Sequence, residues 1–363
     1  MTTEPRQAPE RLAWVDAAKG LGIILVVVGH VVTKPTILGV GPDWYIFLFH
    51  MPLFFILSGV VQKPQPGAVV AARKARSLMV PYLAYLICLG LPLALGGFLL
   101  SDGAMGVRLH DLGKALFKLA YGGAVMIREL GAFWFVSCLF LAQTLYAYVA
   151  QWTGGARSRG FVGVVAACAL AAYGFSIFGR GAWTPLNVAV VPAAILLLWL
   201  GQVLPWRRLN APAWLAFDVA AVLAALWLSR QGVDFRMGLK GGGVGPPVAG
   251  LALAVALSHV AILLSIGLAR LPVAGPALLA LGQASLTILF LHQTVHYGLE
   301  AAGWTSQWAI VIPALALPYL FHRIARRRPL TRRLFLGESA PDLAATTPSP
   351  AAPAGHSRPS AGG

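Results

Sequence analysis

The sequence predicts an all-α fold: a polytopic integral membrane bundle of about ten transmembrane helices, with the N- and C-termini in the cytoplasm. Hydrophobic residues make up 58% of the 363 residues and charged residues only 11%, whereas soluble domains carry about 25% charged residues. Ten apolar stretches are long enough to cross a bilayer, which takes about 20 helical residues. Basic residues are divided unevenly between alternate loops, as expected of a chain that crosses a membrane repeatedly.

The predicted spans lie near residues 17–33, 44–62, 78–100, 131–150, 160–178, 186–204, 212–229, 246–269, 275–296 and 306–323. If the N-terminus is cytoplasmic, the inside segments hold 19 of the 28 Lys and Arg residues. Positive charge favours the cytoplasmic side, so this bias predicts an even number of spans. The same topology explains the net charge of +16, and we expect no binding to nucleic acid.

Three regions are predicted along the chain. Residues 1–12 form a short cytoplasmic segment, and residues 13–325 form the transmembrane domain. Residues 338–363 are rich in Pro, Ala and Ser and poor in large apolar side chains. Such a composition cannot bury enough apolar surface to fold, so this segment is predicted to be a disordered cytoplasmic tail.

The first span contains three ionisable residues, Asp16, Lys19 and His30. Eleven helical residues make three turns plus roughly 20°, so Lys19 and His30 share one face and lie about 16 Å apart along the axis. Ionisable groups within a membrane usually have a function. The alternative is a lysine that sets the topology and a histidine that bonds to a neighbouring helix.

A second group of polar residues follows in the second span and at the start of the third. His50 precedes Pro52, and Arg73 and Arg76 have the spacing R-x-x-R near a helix end. Two guanidinium groups on one helix face can hold phosphates through bidentate hydrogen bonds. The alternative for the two arginines is ordinary positive charge on the cytoplasmic side.

Together these segments resemble the acyltransferase 3 family of membrane O-acyltransferases, particularly its fucose 4-O-acetylase-like branch. The similarity covers about residues 11–325. It rests on DAAKGLGIILVVVGH (16–30), FHMPLFFILSG (49–59), the R-x-x-R at 73–76, GAFWFVSCLFLAQ (131–143) and LGQASLTILFLHQTV (281–295). The resemblance implies that an acyl group, expected to be acetyl, moves from cytoplasmic acetyl-CoA or another acyl-CoA to a hydroxyl. The acceptor would be a cell-envelope glycan or lipid-linked sugar, and the location the bacterial inner membrane, in contact with lipid.

The resemblance also suggests roles for particular residues. His30 would be the general base, supported by Asp16 and Lys19, because a hydroxyl must lose its proton as it attacks the thioester. An acyl-histidine intermediate is an open alternative. Lys19, Arg73 and Arg76 would bind the CoA phosphates. The expected acceptor-binding residues are His50, Glu129, Trp134 and His292.

Two further alternatives remain for this sequence. His292 and His296 are four residues apart, a spacing that can bind a metal, but no Glu-rich partner motif accompanies them. We therefore expect no metal site. A transporter or flippase without catalytic activity is the main alternative function, and a regulatory protein that has lost the activity is another. The cytoplasmic arginine pair and the Lys19–His30 face favour the enzyme, because a transporter needs neither.

Overall fold

The computed structural model describes residues 12–34, 41–179, 181–208, 210–235 and 237–338. It is 79% helical, and no strand occurs among these residues, which confirms the all-α prediction. Nine described helices are long and apolar enough to cross a membrane, or ten if one bent pair counts as a single span. The chain is therefore a multi-pass membrane protein. The cytoplasmic location of the termini stays a prediction, and residues 1–11 and 339–363 lie outside the described residues.

Thirteen helices form the described part of the bundle. Their bounds are α1 Ala13–Val31, α2 Pro42–Phe47, α3 His50–Val60, α4 Gly67–Leu100, α5 Met105–Tyr121, α6 Phe133–Thr153, α7 Arg159–Phe178, α8 Val191–Val203, α9 Pro212–Arg230, α10 Ala249–Leu268, α11 Ala274–Gln283, α12 Ser285–Ala301 and α13 Gln307–Ala325. A final short helical segment covers residues 329–336. The main core lies between α1, α3, α6, α8 and α12.

Helix α4 is longer than the span predicted near residues 78–100. It begins at Gly67, so Arg73 and Arg76 lie within the helix. Two π-helical turns interrupt it, at Ala75–Met79 and Leu86–Gly90. Each turn comes shortly before a proline, Pro81 or Pro92. A proline lacks the backbone N–H that an α-helix needs and clashes with the preceding turn, and a wider turn relieves both problems.

The ninth predicted span, near residues 275–296, is not a straight helix. It consists of α11 and α12, which meet at an angle of 85°. Helix α11 packs closely on α1 because each helix has a glycine, which lacks a side chain, at the contact. A methyl group on Gly20 would overlap the Leu278 carbonyl, and one on Gly282 would overlap the Asp16 carbonyl. The bend places the first turn of α12, at Ser285, in the wall of a cavity beside Lys19.

Candidate active site

Two cavities lie one after the other between α1, α3, α6 and α12. The first, here called the Lys19 cavity, has a volume of about 180 Å³. The second, the His30 cavity, has a volume of about 390 Å³. All four helices contribute side chains to both cavities, and Leu289 of α12 lines both. The two cavities therefore lie along one axis and meet at Leu289.

The face of α1 that lines both cavities is a regular stripe. Lys19 and Ile23 line the first cavity, and Val26 and His30 line the second. The steps of four, three and four residues keep these side chains on one side of the helix. The structure thus brings Lys19 and His30 onto one face, at the two ends of the path.

His30 is held by its own helix. Its Nδ1 lies 2.8 Å from the Val26 carbonyl oxygen, and a carbonyl can only accept, so the proton is on Nδ1. This tautomer leaves a lone pair on Nε2. The ring lies against Phe47, His50 and His292, with centroid separations of 5.3, 6.3 and 5.1 Å.

His50 and His292 adopt the same arrangement as His30. His50 Nδ1 donates to the Ile46 carbonyl at 3.0 Å, and His292 Nδ1 donates to the Leu289 carbonyl at 2.9 Å. His50 lines the His30 cavity, whereas His292 lies behind His30 and does not line it. His292 Nε2 is buried and has no hydrogen-bond partner among the described residues. Unpaired buried acceptors of this kind are rare and call for a functional explanation.

The opposite wall of the His30 cavity comes from the segments before α6 and α10. Arg128 and Trp134 line the cavity, but Glu129 does not. Glu129 instead accepts a hydrogen bond from Arg128 Nε at 3.3 Å. The Arg128 backbone has φ +52°, a conformation that is strained for a residue with a side chain and that often occurs at functional sites. The Arg128 guanidinium lies 4.4 Å from the centroid of Tyr297, which also lines the cavity.

Lys240 is a cavity residue that the sequence reasoning missed. It lies in the turn Leu239–Gly241, and its Nζ donates to the Met126 carbonyl at 2.6 Å. Its own carbonyl accepts from Asn187 Nδ2 at 3.2 Å. Burial lowers the pKa of the Lys240 amine to about 8. The Gly-rich surroundings suggested a loop, but nothing in the sequence indicated that this loop folds against a segment more than a hundred residues away.

At the other end of the path, Lys74 lines the Lys19 cavity, whereas Arg73 and Arg76 are exposed and line neither cavity. The charge of Lys74 acts on both Arg73 and Lys19, so these cations lie close together. Ser58, Gln143 and Ser285 also line this cavity. Gln143 is 1% exposed, and its Oε1 has no hydrogen-bond partner among the described residues.

The remaining predicted residues lie outside both cavities. Asp16 is buried on α1 and lines neither cavity. His296 lies 3.1 Å from Glu300 through its Nε2 and stacks on Tyr297. In the described part of the chain, His, Cys, Asp and Glu side chains form no group of three or more that could hold a metal ion.

The path between the cavities falls within a segment that a protein-family model recognises. The model is described as an acyltransferase domain and matches residues 12–323. The chain belongs to the acyltransferase 3 family. No curated protein matches it. The family match covers the described spans from α1 to within two residues of the end of α13, so the acyltransferase domain and the helical bundle are the same unit.

Proposed function

We propose that this family member is an O-acetyltransferase of the bacterial inner membrane. It takes an acetyl group from acetyl-CoA on the cytoplasmic side and transfers it to a hydroxyl of a cell-envelope glycan or lipid-linked sugar. The fucose 4-O-acetylase-like branch is part of this proposal. The observation that supports it best is the pair of cavities that share four helices and meet at Leu289, with Lys19 in one and His30 in the other.

The Lys19 cavity has the chemistry expected for the CoA arm. CoA carries several phosphate charges on its nucleotide and two amides on its pantetheine. Lys19 and Lys74 line the cavity, and Arg73 and Arg76 are exposed on the same helix as Lys74. The first turn of α12 adds backbone N–H groups beside Ser285, which favour negative charge. The unpaired Gln143 amide oxygen would accept a hydrogen bond from a pantetheine amide.

The donor would then reach His30 from the Lys19 side, while the acceptor enters the His30 cavity. The acceptor hydroxyl gives its proton to His30 Nε2 as its oxygen bonds to the thioester carbon. The carbon–sulfur bond breaks, and the proton passes from His30 to the CoA sulfur. The first step needs the neutral Nδ1–H tautomer that the Val26 carbonyl imposes, and the second step returns His30 to that tautomer.

The neighbouring histidines fit supporting roles in this reaction. His292 presents a buried lone pair beside the ring that becomes positively charged when it takes the proton. His50 lines the cavity opposite Trp134 and would contact the acceptor. Asp16 is buried on α1 and lines neither cavity, so it would act indirectly and not by contact with the reacting atoms. Glu129 would act by holding Arg128.

The same Nε2 lone pair would serve a covalent route through an acetyl-histidine. The two routes differ when no acceptor is present. Radiolabelled acetyl-CoA would leave an acid-labile label on the protein only in the covalent route, and His30→Ala would abolish that label.

One observation favours the alternative of transport. Broken helices are common in transporters, and α11 with α12 is a broken span. Transporter breaks usually occur in corresponding places of two repeats, however, and this pair is the single one bent by more than 40° that the described residues contain. The acyltransferase family match and the place of His30 in the cavity next to the Lys19 cavity favour the enzyme.

The test uses purified protein in lipid nanodiscs, with acetyl-CoA affinity and acetyl-CoA-dependent modification of isolated envelope glycans as readouts. We expect Lys74→Gln and Arg73→Ala to weaken acetyl-CoA binding by about ten- to a hundredfold, from lost charge-assisted hydrogen bonds of roughly 1.5–3 kcal/mol. Arg73→Lys should restore part of the affinity, because a point charge replaces the planar guanidinium incompletely.

Arg270→Ala is the matched control, since Arg270 is an exposed cation that lines neither cavity. Its affinity should equal that of the wild type. Active wild-type protein without measurable acetyl-CoA binding would contradict the donor proposal. Equal affinity for all variants would remove Arg73 and Lys74 from the donor site.

A further inference from the structure

Apart from the histidines, the charged side chains that line the His30 cavity are positive. Arg128 and Lys240 line it, and no Asp or Glu does. Two carboxylates lie near the cavity without lining it: Glu129 is bonded to Arg128, and Glu300 is paired with His296. This lining therefore makes the cavity positive, and water screens the charge of the partly buried Lys240 less than that of Arg128, whose side chain is 60% exposed.

Lys240 is the less compensated of the two cations. Arg128 is bonded to the Glu129 carboxylate, whereas Lys240 is partly buried and donates to a backbone carbonyl. Its ammonium has three N–H donors, of which one goes to Met126. Lys240 lines the cavity from a turn that Asn187 holds in place. Keeping a cation in such a position is costly unless something negative binds there.

The proposed donor does not need these two cations. In the proposed function, the CoA phosphates bind Lys19, Arg73 and Lys74 at the other end of the path, and the thioester carries no charge. The tetrahedral intermediate carries a single negative charge. At least one cation of the His30 cavity is therefore left for a negative charge on the acceptor.

We propose that the acceptor is an anionic saccharide, with a carboxylate or a phosphate near the hydroxyl that is acylated. Lys240 is its principal counter-ion and Arg128 the second. Lys240 lies close enough for its charge to act on His30, so the anionic group and the reacting hydroxyl belong to the same or adjacent sugar units. Trp134 and Tyr297 supply aromatic faces beside them. This inference rests on the proposed function and adds the class of acceptor.

The experiment first identifies the modified unit. Envelope glycans from cells with and without the gene are compared by mass spectrometry, and we expect the gene-dependent acetyl group on a unit that carries a carboxylate or phosphate. Isolated acceptor is then neutralised in two arms: carboxylates are reduced to alcohols, or phosphates are removed by phosphatase. We expect the treatment that removes the anionic group of the natural acceptor to lower kcat/KM of the purified protein by about ten- to a hundredfold. Most of this loss should come from a higher KM.

The variant that tests Lys240 is Lys240→Gln, because glutamine can still donate to Met126 but has no charge. It should lower kcat/KM for the anionic acceptor by a similar factor and leave the neutralised acceptor unaffected within about twofold. Lys240→Arg should keep the preference for the anionic form. Lys118→Gln removes an exposed lysine that does not line the cavity and should change neither substrate.

Three results would overturn the inference while leaving the enzyme in place. They are an acetyl group on a neutral unit, equal use of the charged and neutralised acceptors, or an equal loss on both acceptors in Lys240→Gln. A protein that neither binds acetyl-CoA nor acetylates any glycan would overturn the proposed function, and the acceptor class with it.

Discussion

Two groups of side chains in this bundle, one around His30 and one around His259, differ in how their histidines are bonded. In the first, His30 and His292 donate Nδ1–H to a carbonyl of their own helix, and His50 donates to the Ile46 carbonyl of α2. In the second, His259 of α10 bonds to Asp218 of α9 at 2.6 Å, and the Trp214 ring stacks on it at 4.4 Å. Both partners of the second group are buried.

The two groups differ in the chemical partner of the histidine Nδ1, which is a backbone carbonyl for His30 and a carboxylate for His259. A backbone carbonyl fixes the tautomer but adds no charge, so His30 keeps a lone pair on Nε2 at a cavity wall. Asp218 gives His259 a charged partner, and Trp214 covers its ring face. A carboxylate–imidazole pair in a dry interior joins two helices, and breaking it is costly. The first group is therefore suited to chemistry and the second to holding α9 on α10.

The largest expected effect on activity comes from His30. We expect His30→Ala to lower the rate of acetyl transfer by about 10²–10⁴-fold, the usual contribution of a positioned general base. Acetyl-CoA affinity and thermal stability should stay close to those of the wild type. Transfer assays on monodisperse protein, with affinity measured in the same preparation, check this. Normal turnover by the folded variant would exclude His30 as the base.

The second group should respond in the opposite way. Replacing Asp218 by Ala removes the carboxylate bonded to His259 Nδ1. The change should reduce stability by about 3–5 kcal/mol, seen as a lower thermal midpoint in nanodiscs. The protein that stays folded should transfer acetyl groups at a rate within about twofold of the wild type. A selective loss of transfer at unchanged stability would mean that the Asp218–His259 pair belongs to the active site.

A smaller effect is expected for His292, which packs against His30 without lining the cavity. His292→Leu should lower kcat by about ten- to a hundredfold, because the charge that forms on His30 loses a nearby acceptor. His292→Gln, whose side-chain oxygen can accept a hydrogen bond, should recover part of the loss. KM for the acceptor should hardly change. A change confined to this KM would instead assign His292 to acceptor binding.

Much of this arrangement could be predicted from the sequence where one helix determines it. The spacing of Lys19 and His30 fixes their common face, and the hydropathy of the chain gives the spans. Hydropathy does not report direction, so the 85° bend after Gln283 was missed. The sequence also failed to indicate Lys74. The R-x-x-R spacing pointed to Arg73 and Arg76, but Lys74 is the residue of this segment that lines the cavity.

Residues that meet only through tertiary contacts could not be predicted. Lys240 reaches the site because Asn187 and Met126 hold its turn, and these three residues are far apart in the chain. Asp218 and His259 likewise lie on separate helices, each looking like an isolated polar residue in an apolar run. The spacing from Lys19 and the family motif distinguished His30 in the sequence, but nothing there indicated that His259 pairs with Asp218.

The central claim is that donor and acceptor approach His30 from opposite sides of Leu289, the residue that lines both cavities. The most direct measurement is acetyl-CoA binding and acetyl transfer by Leu289→Trp in one nanodisc preparation. Leu289→Met serves as the conservative control, and Leu317→Trp places the same indole on an exposed face of α13. The account predicts that Leu289→Trp binds acetyl-CoA within about threefold of the wild type but loses more than about a hundredfold in transfer, while both controls remain active. Transfer by Leu289→Trp at the wild-type rate would contradict it.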